Sequence, residues 1–272
     1  MRKEFLRFGA PKFSKKEIDE VVKTLKSGWV TTGPKTHAFE ENFKKYEEVE
    51  HAIGLNSGTA ALHLALLAAG VGAGDEVIVP SMTMGASANT VVHCGGTPIF
   101  ADVQRDTMNI DPEDVERKIT PRTKAIMVVH MAGRSCDMDE IFALAKKRNL
   151  KVVQDCAHTV ETEYKGKKVG SLGDFACYSF HAIKNLTTGE GGMLTMNDAA
   201  HVKQSRVLSL HGMSKDAHDR YGTTGYKHYE IIEAGYKYNM MDVQASLGIH
   251  QLASIEQNWK KREKIWNRYM KE

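Results

Sequence analysis

The sequence predicts an α/β fold, a mainly parallel sheet covered by helices, on three observations. Short apolar runs rich in β-branched residues recur at EVIVP (76–80), TPIFADV (97–103), KAIMVVH (124–130) and LKVVQDC (150–156). Such runs read as strands buried on both faces. Segments of helical length or period separate them, DMDEIFALAKKRN (137–149) among them, and this alternation belongs to parallel strands joined by helical crossovers. The composition, 42% apolar and 26% charged over 272 residues, suffices for one sizeable core.

Each further element has a local reason. SKKEIDEVVKTLKSG (14–28) opens on Ser14 as a cap with Glu17 three residues on, sets Ile18, Val21, Val22 and Leu25 on one face, and stops at Gly28. This predicts a surface helix. GLNSGTAALHLALLAAG (54–70) places Asn56, Ser57, Gly58 and Thr59 just ahead of a strongly apolar helical segment. From residue 240 the pattern MMDVQASLGIHQLASIEQNWKKREKIWNRYMKE is helical to its end, with neither a glycine cap nor a proline stop. No repeat or low-complexity linker interrupts the chain. Residues 1–240 are therefore read as one large domain and 241–272 as the start of a helix leading out of it.

Several classes of function are excluded at this point. The formal net charge of +3 arises from 37 basic and 34 acidic residues spread along the chain, so no basic block argues for nucleic acid or an anionic membrane. The N-terminus MRKEFLRFGAPKFSKKE has no apolar core long enough for a signal peptide, and the longest apolar run is interrupted by His63; a cytoplasmic protein is expected. Cys94, Cys136, Cys156 and Cys177 are widely spaced without a C-x-x-C pair, which reads as buried thiols and not as a disulfide framework or zinc knuckle. Neither G-x-x-x-x-G-K-[ST] nor G-x-G-x-x-G between a strand and a helix is present, so the chain is not a Walker nucleotidase or a standard dinucleotide binder.

Three positions carry chemistry. At the start of the helix after Asn56, outward N–H groups and the hydroxyls of Ser57 and Thr59 make an anion site, most naturally for phosphate. A capped helix without a ligand is the ordinary reading of one such motif alone. KVVQDCAHTVE delivers Asp155 to the carboxyl edge of the sheet, where open α/β proteins bind ligands. A carboxylate buried there needs a partner, the alternatives being a helix cap or a structural ion pair. A metal site built from Asp155, His158 and Cys156 or His130 ranks third, because no second ligand pair has suitable spacing. Lys184 lies between the aromatic segment CYSFHAI and the glycine cluster GEGG. Most lysines are exposed loop residues. A partly desolvated one loses some of its preference for the charged form, and the neutral amine attacks a carbonyl to give a Schiff base. Pyridoxal phosphate needs a lysine for its aldehyde, an anion site for its phosphate and an acid facing its ring nitrogen. Lys184, Ser57-Gly58-Thr59 and Asp155 supply all three.

Taken together, SGWVTTGPKT, NSGTAALHLAL, GDEVIVPSMT, ITPRTKAIMVVHMAG, QDCAHTVE, CYSFHAIKNLTTGEGGMLTMND, LSLHGMSKDAHDRYG and AGYKYNMMDVQASLGIHQL resemble the DegT-type family of pyridoxal-phosphate sugar aminotransferases. They are most similar to the members that aminate UDP-linked 4-keto sugars, including the 4-amino-arabinose branch. The resemblance implies the large domain of a type I, aspartate aminotransferase-like fold. It implies an amino-acid donor, glutamate, and a nucleotide-linked keto sugar as acceptor. By that resemblance Lys184 holds the cofactor and shuttles the substrate proton, Asp155 faces the ring nitrogen, Ala157 packs on one ring face and His158 lies near the phenolic oxygen. Ser57, Gly58, Thr59 and Ser179 form the phosphate cradle. Lys237 and Asn239 of GYKYN reach the same phosphate from a neighbouring subunit, which implies a homodimer with shared sites. Thr31, Thr32 and Gly33 lie in a loop near the cofactor and sugar.

Two departures from the family pattern stand out. Met84, in PSMTM, occupies the place where relatives stack an aromatic ring on the cofactor, and its polarisable sulfur can pack there instead. Relatives also continue into a small C-terminal domain beyond the position of Glu272, so a truncated module that binds the cofactor or dimerises without turnover is the alternative expectation. Sugar dehydratases related to the family usually carry histidine at the position of Lys184, which makes that class the weaker one.

Overall fold

The alternating runs form one seven-stranded sheet in the computed structural model, which describes Phe5, residues 9–214 and residues 228–272. Its strands are β1 (His51–Leu55), β2 (Glu76–Pro80), β3 (Thr97–Ala101), β4 (Thr123–Val129), β5 (Lys151–Asp155), β8 (Phe175–Ser179) and β9 (Gly192–Met196), in the spatial order β1-β9-β8-β5-β4-β2-β3. Only β9 runs against the rest, pairing antiparallel with both β1 and β8. A small hairpin of β6 (Glu163–Tyr164) and β7 (Lys167–Lys168) stands apart. Among the described residues the α-helices are α1 (Lys15–Ser27), α2 (Pro34–Glu47), α3 (Gly58–Ala68), α4 (Gly85–His93), α5 (Pro112–Lys118), α6 (Met138–Arg148), α7 (Ala199–Ser209), α8 (Asp242–Ala253) and α9 (Ile255–Tyr269). The segment LSLHGMSKDAHDRYG continues past Ser214 into residues outside the described ones, as do residues 1–4 and 6–8 of the N-terminal stretch.

Strand alternation divides the core between two layers. Val153, Cys177 and Leu194 face α3, a helix apolar on nearly every side and buried through Leu62, Leu64 and Leu66. Ala176, Tyr178 and Met193 face the other way, onto Phe39 and Phe43 of α2. Ile126, Val128 and Val152 cover α6 through Ile141 and Ala145. Cys136, Cys156 and Cys177 are buried as expected, whereas Cys94 is half-buried. Burial pushes the Cys94 and Cys136 thiols up to about 12, which leaves them unreactive near neutrality.

Three elements differ from the sequence expectation. TPIFADV forms β3, but at the sheet edge and not buried on both faces, so Phe100 stays 49% exposed. Helix α1 has the expected capping box and a left-handed stop at Gly28. Yet Ile18, Val22 and Leu25 point to solvent, and α1 seats on α8 through Glu17, which accepts from Gln251 Nε2 at 2.8 Å. Periodicity tells which residues share a face, and only packing tells which face is covered. The single helix expected after residue 240 is two helices broken at Ser254. The first packs with the main body: Ala245 and Leu252 join the core of α2, and Gly248 lies so close to the Phe39 ring that a Cβ would meet it at 2.6 Å. Asp242 also caps α2, accepting from the Lys35 and Thr36 N–H groups at 3.0 and 2.9 Å.

One buried acid gives the fold a pH dependence. Glu47 at the end of α2 is fully buried and accepts the Tyr178 hydroxyl at 2.7 Å. Burial pushes its carboxyl up to about 8, against the pull of the Tyr178 hydroxyl and Lys168. A folded-state value raised above the unfolded one favours the protonated acid in the native state. The stability it confers is complete below about 4.5 and is lost as pH rises toward 8. Glu47→Gln is expected to remove this slope and raise stability at pH 9 by a few kcal/mol. Thermal melts of both proteins from pH 5 to pH 9 check it, and parallel curves would refute it.

Candidate active site

Asp155 is the last residue of β5, at the centre of the sheet and at its carboxyl edge. It is 6% exposed. Its Oδ1 accepts the Ala157 N–H at 3.1 Å and its Oδ2 accepts the Ser87 hydroxyl at 3.1 Å. Burial pushes its pKa up, while these two donors and the charge of Lys184 pull it back. Ser87 is itself fully buried in the first turn of α4 and pairs with Thr83 at 2.7 Å.

The turn after β5 carries Ala157 and His158, and the loop after β8 carries Lys184. Their meeting point is a 2.9 Å contact between Lys184 Nζ and His158 Nε2. The lysine loop is closed on the carbonyl of Phe180, which accepts from Thr188 N at 2.9 Å and Thr187 Oγ1 at 3.1 Å. Phe180 and Leu186 anchor it in the core on either side. Burial holds the Lys184 amine below the ordinary lysine value, Asp155 opposing, and burial and then Lys184 hold His158 below the ordinary histidine value. The contact thus joins a base to an amine that gives up its proton more readily than an ordinary lysine does.

The anion cradle lies beside this group. Ser57 caps α3 by accepting the Ala60 N–H at 3.1 Å, so the first N–H groups of the helix, those of Gly58 and Thr59, have no partner within it. A Cβ on Gly58 would stand 2.9 Å from Ser179 Cβ, and one on Gly192 would stand 2.3 Å from the Ser57 carbonyl oxygen. Glycine at both positions lets β8 and β9 close on the start of α3 and brings the Ser179 side chain against Gly58. Since Cys177 pairs with Asp155 across the sheet, Ser179 is two residues further along the neighbouring strand. Lysine, buried acid and cradle therefore share one edge.

Other expected residues take up places around this centre. Met84 is 78% exposed at the N-terminal end of α4, three residues before Ser87. Lys237 and Asn239 meet at 2.5 Å, Asn239 donates to Thr32 Oγ1 at 2.7 Å, and the Lys237 carbonyl accepts from Asn56 at 3.0 Å, so GYKYN lies against the residue that precedes Ser57. Thr31 accepts from Asp242 N at 3.1 Å, and a Cβ on Gly33 would collide with the Trp29 indole. The residues of the metal alternative have other partners: His130 accepts the Cys136 N–H and contacts Gln154, and His158 faces Lys184. Among the described residues no group of His, Cys, Asp or Glu is placed to hold a metal ion. Ser87 escaped sequence reading because its place in the first turn of α4 signals only a helix start; its partner is 68 residues away.

These residues fit pyridoxal phosphate: a half-buried lysine beside a base, a buried acid, and a cradle that two side-chain-free positions keep open. Fold and site together define an aminotransferase of the pyridoxal-phosphate class. The model of the DegT/DnrJ/EryC1/StrS aminotransferase family matches residues 11–272, and the chain belongs to that family. Its members bind pyridoxal phosphate. The chain is 51% identical to the spore coat polysaccharide biosynthesis protein SpsC of Bacillus subtilis over 98% of its length, spanning 69% of that relative. Its fold matches Spr1654 of Streptococcus pneumoniae, described as a sugar aminotransferase, in the PMP form with a TM-score of 0.91 and 41% identity, covering 97% of this chain and 71% of that one. PseC of Helicobacter pylori, an aminotransferase involved in the biosynthesis of pseudoaminic acid, matches with a TM-score of 0.84 and 32% identity over 92% of this chain and 66% of its own. No helix among the described residues is long and apolar enough to cross a membrane.

Proposed function

We propose that the chain transfers an amino group from an amino acid, glutamate by family likeness, to a keto group on a nucleotide-linked sugar, a 4-keto sugar of the 4-amino-arabinose type. The observation that carries this reading is the 2.9 Å contact of Lys184 with His158 at the edge where Asp155 is buried. Pyridoxal phosphate supplies an electron sink when bound, and the protein supplies binding, orientation and proton transfer. Asp155 holds the ring-nitrogen proton in place, with Ser87 and the Ala157 N–H fixing the carboxylate. Lys184 would hold the cofactor, and its amine, at 2.9 Å from His158, would carry the substrate proton as a general base. By family likeness His158 would serve the phenolic oxygen, and Ala157 and Met84 would line the two faces of the ring. The start of α3 and Ser179 take the phosphate. Lys237 and Asn239 serve the cradle of a second copy, so the working form is a homodimer.

A groove of about 620 Å³ between the His158 turn and α9 supports a bulky acceptor, with Thr162, Asn185, Arg262 and Trp266 on its walls. The biosynthetic roles named for SpsC and PseC favour a sugar in it. The test is the visible spectrum of the protein with added pyridoxal phosphate, followed by excess glutamate. A new visible band that glutamate bleaches is expected. A band that persists with glutamate and with every other amino acid donor would leave a cofactor-holding module and sink the transfer reaction.

A further inference from the structure

The lysine loop and the last helix are joined through one carboxylate. Glu161 follows the His158 turn, and its side chain is 4% exposed. It accepts from Asn185 Nδ2 at 2.8 Å and is ion-paired to the Arg262 guanidinium of α9. Asn185 is the residue after Lys184. The carboxylate thus ties the lysine loop directly to α9, with Glu161 and its Arg262 partner 101 residues apart in the chain.

A nearly buried carboxylate is costly unless its acceptor sites are used, and removing either donor strands it. Glu161 is therefore held on both sides, and it holds both in turn. The charge that raises the Lys184 amine is that of Asp155, and the amine itself meets His158. Glu161 reaches the lysine through the geometry of Asn185. Asn185 and Arg262 also line the groove beside His158, so the tie runs along the wall of the site.

We infer that Glu161 is a positioning residue: by fixing Asn185 on one side and Arg262 on the other, it holds the Lys184 amine against His158 and makes its presentation depend on the seating of α9. The inference rests on the cofactor role of Lys184. Its rival is an ion pair that merely fastens α9, and the two differ in what the bound cofactor reports.

The experiment begins with wild-type protein, pyridoxal phosphate and borohydride, followed by peptide mapping. A missing adduct on Lys184 would defeat the lysine assignment itself, before any question about Glu161 is reached. With the adduct established, the cofactor affinity and the pH midpoint of the visible band are measured for Asn185→Ala, Arg262→Ala, Glu161→Gln and Glu161→Ala. Positioning predicts about tenfold weaker cofactor binding and a displaced midpoint in Asn185→Ala, the size expected for one lost hydrogen bond to a charged group. It predicts a partial recovery in Glu161→Gln relative to Glu161→Ala, because the amide oxygen still accepts from Asn185. The Glu161→Ala/Asn185→Ala double variant should be no worse than Glu161→Ala alone, since both act through one path. If Glu161→Ala does not fold, Asn185→Ala and Glu161→Gln still decide the matter. Affinity within twofold of wild type and an unmoved midpoint in Asn185→Ala would overturn the inference and reduce Glu161 to a fastener of α9.

Discussion

Lys184→Ala is expected to abolish the borohydride-stable adduct with pyridoxal phosphate and to lower turnover at least about a thousandfold. The size follows from two losses in one side chain: the amine that bonds the cofactor and the base that moves the substrate proton, the second alone contributing about 10²–10⁴. The fold should survive. Lys184 is half-buried and its loop is held by Phe180, Leu186 and the threonine contacts to the Phe180 carbonyl. A melting temperature near that of wild type, together with an absent adduct on mass analysis, is the expected pair of results. Trapping that persists unchanged would remove Lys184 from its role. The lowered amine pKa adds a pH signature, because Lys184 reaches its neutral form at lower pH than an ordinary lysine and should be trapped at a pH where exposed lysines are not.

Asp155→Asn is the second large effect, and it separates cofactor capture from turnover. Asparagine preserves the shape, and the Ser87 hydroxyl can rotate to accept from the new amide while Ala157 keeps its acceptor. What disappears is the charge. Without it the ring nitrogen no longer retains its proton, and turnover should fall roughly 10²–10³-fold while the adduct with Lys184 still forms. The sign of the accompanying shift is set: Asp155 raises the Lys184 amine, so its loss moves the pH midpoint of trapping downward. Turnover within threefold of wild type, or a midpoint moving upward, would contradict the role given to Asp155.

Much of the site was legible because its chemistry is local in the chain. Ser57, Gly58 and Thr59 announce a helix start with hydroxyls at its mouth, Asp155 ends an unmistakable buried strand, and Lys184 stands beside a glycine cluster. That cluster has its reason in the structure: Gly192 is where the Ser57 carbonyl leaves no room for a Cβ. Ser87, Glu161, Asn185 and Arg262 were not legible, since each gains its meaning from a partner far along the chain. The strands β1 and β8 also escaped sequence reading. HAIGL is short and glycine-interrupted, and FACYS lies inside a segment whose motif drew attention to its lysine.

By itself, then, the sequence determined the α/β alternation, the family and the chemical identities of lysine, acid and cradle. Local patterns suffice for these, because a strand period, a helix cap and an acid that ends an apolar run are properties of neighbouring residues. Tertiary structure alone decided that α1 rests on α8 through Glu17 and not through its apolar stripe, that β3 closes the sheet edge, and that the helical tail breaks at Ser254 and packs back on Phe39. It also decided that Lys184 stands 2.9 Å from His158. Such choices depend on which surfaces meet, and the free energy of burial and of satisfying buried polar groups is defined only once the whole chain has closed.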